Sequence, residues 1–133
     1  MMNTIEQITA AQRKLVASLA KARNRRDTGL FAAEGTKCVL DTIDAFRLHL
    51  LAATPAWLDE HPEVASRAEC VSAVRADMER MTALSTPPPV IAVYHIPEPA
   101  EWSMTPDELV VALDCVQDPG NLGTIVRAAD WMG

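Results

Sequence analysis

The densest chemical signal is LVVALDCVQDPGNLGTIVRAADWMG, residues 109–133. Leu109 to Leu113 is wholly apolar, Asp114 to Gly120 is a polar loop, and helical spacing begins near Asn121. A strand that opens into a loop and a helix N-terminus aims backbone N–H groups and polar side chains at the edge where α/β sheets bind ligands. Pro119-Gly120 predicts the central pair of a type II turn, with Gly120 at positive φ, and Asn121 predicts the N-cap. Along the helix, Leu122, Ile125, Ala129 and Met132 share one face, and Gly123, Arg127 and Asp130 share another. Spacing alone leaves two readings open: a well-made turn with an i,i+3 Arg127–Asp130 pair, or a ligand-facing loop.

A second signal is charge. Through Arg26 the chain carries six basic residues, Arg13, Lys14, Lys21, Arg23, Arg25 and Arg26, against the single acid Glu6. The remainder carries the other six basic residues and seventeen of the acids, so the net charge of -6 and pI near 4.9 conceal a basic N-terminal patch. Phosphate neutralisation is local, and such a patch suits a nucleic acid even on an acidic chain.

These signals must be held by a fold. The 133 residues, 49% apolar and 23% charged, match a globular chain of one domain, or one plus a fragment. The longest uncharged apolar stretch, near Leu48 to Leu58, is broken by His49 and Pro55 and falls short of the roughly 20 residues that span a bilayer. With no signal peptide at the N-terminus, we expect a cytoplasmic protein that does not enter a membrane. Cys38, Cys70 and Cys115 are odd in number and lack metal-ligand spacing, which predicts reduced core residues and no metal.

The periodicity predicts a helix over about Thr9 to Arg23, with Ala11, Leu15, Leu19 and Ala22 on one stripe, and a turn at Thr28-Gly29. Leu30 to Ala33 predicts a buried strand. Thr36 predicts the cap of a helix burying Val39, Leu40, Ile43, Phe46 and Leu50. A strand over Leu50 to Thr54, a Pro55 to His61 helix, a weak strand over Ala68 to Val71, and a helix marked by Val74, Met78, Met81 and Leu84 after Ser72 follow. Val90 to Ile96 is continuously apolar, as a strand covered on both faces requires. Alternating strands and helices predict an α/β/α sandwich with a largely parallel sheet over residues 1–96. Pro97 to Asp107, with three prolines and three acids, reads as a linker, and residues 108–133 as the first strand and helix of a second domain.

The C-terminal segment closely resembles motif 1 of the SpoU-type, TrmH-like RNA 2′-O-ribose methyltransferases of the SPOUT superfamily. Asp118, Pro119, Asn121, Gly123, Arg127, Ala129 and Gly133 fall in register with that motif. The basic helix, RRDTGLFAAEGTKCVLDTI and LSTPPPVIAVYHI are similar to the family's substrate-binding domain, although Pro88 stands where many relatives carry Gln. The resemblance implies methyl transfer from S-adenosylmethionine to a ribose 2′-hydroxyl of rRNA or tRNA, by a homodimer. That hydroxyl is a poor nucleophile until its proton is withdrawn or its oxyanion stabilised, and the family's motif 1 arginine, here Arg127, is assigned that work. Asn121 would orient the arginine or the RNA backbone. Lys21, Arg23, Arg25 and Arg26 would contact RNA, and Glu34, of the family's Glu-Gly signature, would either do so or serve as the entry residue of the helix that follows.

The family's later motifs, which form the trefoil knot and cradle the cofactor, do not occur in these residues. The expectation is therefore a chain truncated after motif 1 and inactive by itself. A stand-alone RNA-binding module is the alternative. An acidic interaction domain without RNA would leave Arg23 to Arg26 without a purpose.

Overall fold

The computed structural model describes residues 4–133, which form two units, one running to Glu98 and the other spanning Pro99–Gly133. In the first, α1 (Ala10–Ser18) and α2 (Ala22–Thr28) precede β1 (Leu30–Glu34), α3 (Thr36–Thr42), β2 (Leu48–Ala53), α4 (Pro55–Glu60), α5 (Pro62–Ala65), β3 (Cys70–Ser72), α6 (Arg75–Met81) and β4 (Val90–His95). The second holds α7 (Pro119–Trp131).

The sheet runs β1-β4-β2-β3. β4 is antiparallel to both β1 and β2, and only β2 and β3 run parallel, which corrects the expectation of a largely parallel sheet. Continuous hydrophobicity records that both faces of a strand are covered, and a central antiparallel strand meets that condition as well as a parallel one does. Val90 to Tyr94 are wholly buried.

The two faces of the sheet carry separate cores. On one, Val39 and Ile43 around α3, Trp57 and Leu58 of α4, and Val64 of α5 pack against Leu51, Ala53, Ala92 and Tyr94. On the other, Val16 and Leu19 around α1 and Met78 and Met81 of α6 pack against Leu50, Ala52, Ile91 and Val93. Three α/β/α layers result, as expected. Buried polar groups are satisfied: Tyr94 Oη lies 2.9 Å from Thr42 Oγ1, and Trp57 Nε1–H donates to Thr36 Oγ1 at 3.0 Å. Burial pushes the Tyr94 hydroxyl pKa upward. Upstream of α1, Ile8 N–H donates to Ser72 O and Ser72 N–H to Glu6 O, so this segment covers the outer edge of β3.

Several boundaries differ from expectation. The single N-terminal helix is two, broken after Ser18. The α3 helix stops at Thr42, so Leu40 is exposed and Leu50 belongs to β2 rather than to the helix. Val74 and Leu84 flank α6 and are exposed, and Asp77 rather than Ser72 serves its N-terminus, accepting from Val74 N–H at 3.2 Å. Only Cys70 is a core cysteine; Cys38 and Cys115 are exposed.

In the second unit, residues 109–113 form no strand, because β-propensity is realised only against a partner strand, and these residues have none. Pro119 is the first residue of α7 and Asp118 its N-cap, with the carboxylate accepting from Gly120 N–H at 2.9 Å. The expected type II turn is thus a helix start, and Asn121 lies inside the first turn instead of capping it. Gly120 keeps an ordinary negative φ, whereas Cys115 takes φ 57 in the loop before it.

Candidate nucleic-acid interface

The break between α1 and α2 is made by side chains. Arg25 Nη1 donates to Leu19 O at 2.8 Å and to Ala20 O at 3.0 Å, and Asn24 Nδ2 donates to Ser18 O at 2.9 Å. These donors satisfy carbonyls that a helix C-terminus leaves without partners. Gly29 then ends α2 in the left-handed region at φ 68, where glycine meets no steric penalty.

The basic residues singled out from the sequence therefore divide by role. Arg25 is half-buried and committed to the backbone of α1. Lys21 and Arg26 are exposed and form no ion pair among the described residues. Arg23 lies 3.7 Å from Asp27 in an exposed pair that water screens strongly. Farther up α1, Arg13 pairs with Asp77 of α6 at 3.2 Å and ties the two helices together, which withdraws it from the surface charge.

Glu34 stands at the far end of β1, where its carboxylate accepts from Ala83 N–H, 3.3 Å from each oxygen. It fixes the loop after α6. Glu34 and Arg25 border one groove of about 380 Å³, floored by Val16, Leu19 and Met81. Pro88 is buried in the loop that leads into β4.

In the second unit, Arg127 folds back along α7. A Cβ built on Gly123 would lie 3.3 Å from Arg127 Nη1, so the missing side chain at Gly123 is what leaves the guanidinium its place. No Arg127–Asp130 ion pair forms among the described residues. Asn121 is exposed, six positions before Arg127 on the same helix, and no side-chain hydrogen bond joins the two among those residues. No group of metal-ligating side chains occurs among the described residues, and no helix there is long and apolar enough to cross a membrane.

Two residues not singled out from the sequence meet at the start of β2 and the end of β4: Arg47 Nη2 lies 3.1 Å from His95 Nδ1. Forty-eight positions separate them, so only the strand pairing brings them together. Their local signal is the alternation Arg47-Leu48-His49-Leu50, in which polar residues interleave with core ones.

The chain is 43% identical over 53 residues to the 23S rRNA (guanosine(2553)-2′-O)-methyltransferase RlmP of Bacillus subtilis, a match covering 40% of this chain and 20% of that protein. A candidate RNA methyltransferase of the TrmH family from Porphyromonas gingivalis superposes with TM-score 0.69 at 32% identity, covering 94% of this chain and 49% of that one. An rRNA methyltransferase from Sinorhizobium meliloti superposes with TM-score 0.70 at 26% identity, covering 98% and 53%. The chain thus spans about half the length of these solved relatives. Residues 11–92, which include α2 and nearly all of α1 and the sheet, match the MRM3-like substrate binding domain, and the chain belongs to that family.

Proposed function

We propose that the first unit holds RNA for a ribose 2′-O-methyltransferase that uses S-adenosylmethionine. The observation that carries the reading is the outward placement of Lys21, Arg23 and Arg26 on and beside α2, with Lys21 and Arg26 free of carboxylates, in a domain of the substrate-binding family. Ribosomal RNA is the first substrate to test because RlmP acts on it by name, and tRNA is the second. Reversing Lys21, Arg23 and Arg26 to Glu should weaken binding to a structured rRNA fragment and flatten its salt dependence while leaving the melting temperature in place. An unchanged salt slope would remove this surface from the interface. Arg25 is left out of the test because its loss would strike the end of α1.

Residues 1–133 by themselves hold RNA and transfer no methyl group in this reading. Residues 96–122 are exposed throughout, and one loop ahead of one helix does not make an enclosure of the kind small-molecule sites need. The residues present do not fit S-adenosylmethionine. Calorimetry showing that they bind it would overturn this part.

Arg127 is the position proposed to engage the ribose 2′-hydroxyl, with Asn121 orienting the RNA backbone beside it. The domain division 1–96, 97–107 and 108–133, a homodimer, and a cytoplasmic location belong to the same proposal. Exposed Leu109, Leu122, Val126 and Trp131 supply apolar surface for association, which sedimentation would detect.

A further inference from the structure

At one end of the sheet lie the first residues of β1 and β2 and the last of β4. Leu30 pairs with His95 and Leu48 with Tyr94, His95 N–H donates to Arg47 O at 2.9 Å, and Ile96 N–H donates to Gly29 O at 2.8 Å. This end also receives the C-terminus of α2, whose last turn contains Arg25 and Arg26.

Arg47, His49 and His95 converge here. A guanidinium can only donate, so in the 3.1 Å contact His95 Nδ1 is the acceptor and the ring proton sits on Nε2. The His95 ring is neutral and still offers an N–H. Burial, and then the neighbouring Arg47 and His49, hold its pKa below the ordinary histidine value. The His49 ring meets it edge-on, with centroids 5.2 Å apart and planes at 81°. His49 sits at a slip in register between Leu48 and Leu50, which turns its side chain out of the strand alternation.

Among the carboxylates of the flanking segments, Asp44 pairs with Arg67 at 2.8 Å and Asp27 lies 3.7 Å from Arg23 in the exposed pair, while Glu6 and Glu69, which line the groove on the β3 side of His49, form no ion pair among the described residues. Neither Arg47 nor either histidine forms an ion pair among the described residues. Three side chains that present donors, with no carboxylate bound to any of them, match a phosphate oxygen.

We propose that Arg47, His49 and His95 form a phosphate-binding cluster that receives an RNA phosphodiester, extending the α2 surface across the end of the sheet. The proposal rests on the RNA-holding reading. Arg47 supplies the permanent charge, and His95 Nε2–H and the His49 ring supply directed donors; an arriving phosphate would favour protonation of His95, which frees the Arg47 guanidinium from Nδ1 to face the phosphate. Affinity should therefore rise as pH falls through the histidine range.

The test uses the whole 133-residue chain with two probes, a synthetic RNA stem-loop and inorganic phosphate alone, read by the histidine ring resonances and by binding affinity. The stem-loop should move the His49 and His95 signals and raise the pH at which His95 titrates. Arg47→Ala should lower RNA affinity several-fold and cut the salt slope by about 1, and His49→Gln, at an exposed position, should lower affinity by a smaller factor without disturbing the fold. If RNA binds with both rings unmoved and Arg47→Ala is neutral, while reversal of Arg23 and Arg26 abolishes binding, the cluster is refuted and the RNA reading stands. Inorganic phosphate binding as tightly as the stem-loop would overturn RNA as the source of the phosphate. A stem-loop that does not bind at all overturns both readings.

Discussion

Single side chains here separate cleanly into those that hold the backbone and those left for a partner. Arg25→Ala would leave Leu19 O and Ala20 O without their donors, and the expected loss is about 1–2 kcal/mol. Arg26→Ala, at an exposed position, should change stability by less than about 0.5 kcal/mol. Thermal melts of the two variants check this contrast; equal melting temperatures would contradict the cap. The cysteines offer a second contrast. Burial pushes the Cys70 thiol up to about 11, and its Sγ–H donates to Val64 O at 3.1 Å, whereas Cys38 and Cys115 are exposed. At pH 8 a disulfide reagent should therefore label two thiols quickly and the third only on unfolding. Because the folded state keeps the Cys70 proton longer, its contribution to stability is whole below a pH of about 9 and fades as pH climbs through about 11. Fast labelling of all three thiols in the native protein would place Cys70 outside the core.

Among the elements, α7 and the α1–α2 corner show what a sequence reveals and what it withholds. The apolar and polar faces of α7 were legible from spacing, but its start was not: Pro-Gly suits both a type II turn and a first helical turn, and only the Asp118 carboxylate on Gly120 N–H decides between them. Gly123→Ala should raise α7 helicity, since alanine is favoured over glycine by about 1 kcal/mol in a helix interior, while displacing the Arg127 guanidinium that now lies over Gly123. Circular dichroism and the Arg127 side-chain resonances would register the two effects, and a fall in helicity would contradict the geometry. At the other corner, Leu19 and Ala22 continue the spacing of α1, so periodicity runs straight across a break that Asn24 and Arg25 impose by reaching back to it. The basic patch was visible as composition, but its division into capping and outward residues was not. Arg47 and His95 were invisible as a pair because strand direction, which joins them, leaves no mark in local sequence.

Across the whole chain, the described boundary between units falls at Glu98 and Pro99, and residues 96–118 are exposed and outside regular elements. Limited proteolysis should cut first between Pro97 and Asp107 and release a resistant fragment containing β1 to β4; uniform resistance to Gly133 would refute this. That fragment owes its integrity to the place of β4. The last strand of the first unit lies between the first two, and β1 has no other neighbour in the sheet. As a nascent chain leaves the ribosome, β1 and β2 therefore have no common surface to close on until Val90 to His95 arrives, and everything upstream waits for it. A polypeptide arrested at residue 88 should remain protease-sensitive with apolar surface open to chaperones, and one extended through residue 98 and its release from the exit tunnel should become resistant in a single step, making the synthesis of six residues the moment at which the fold commits.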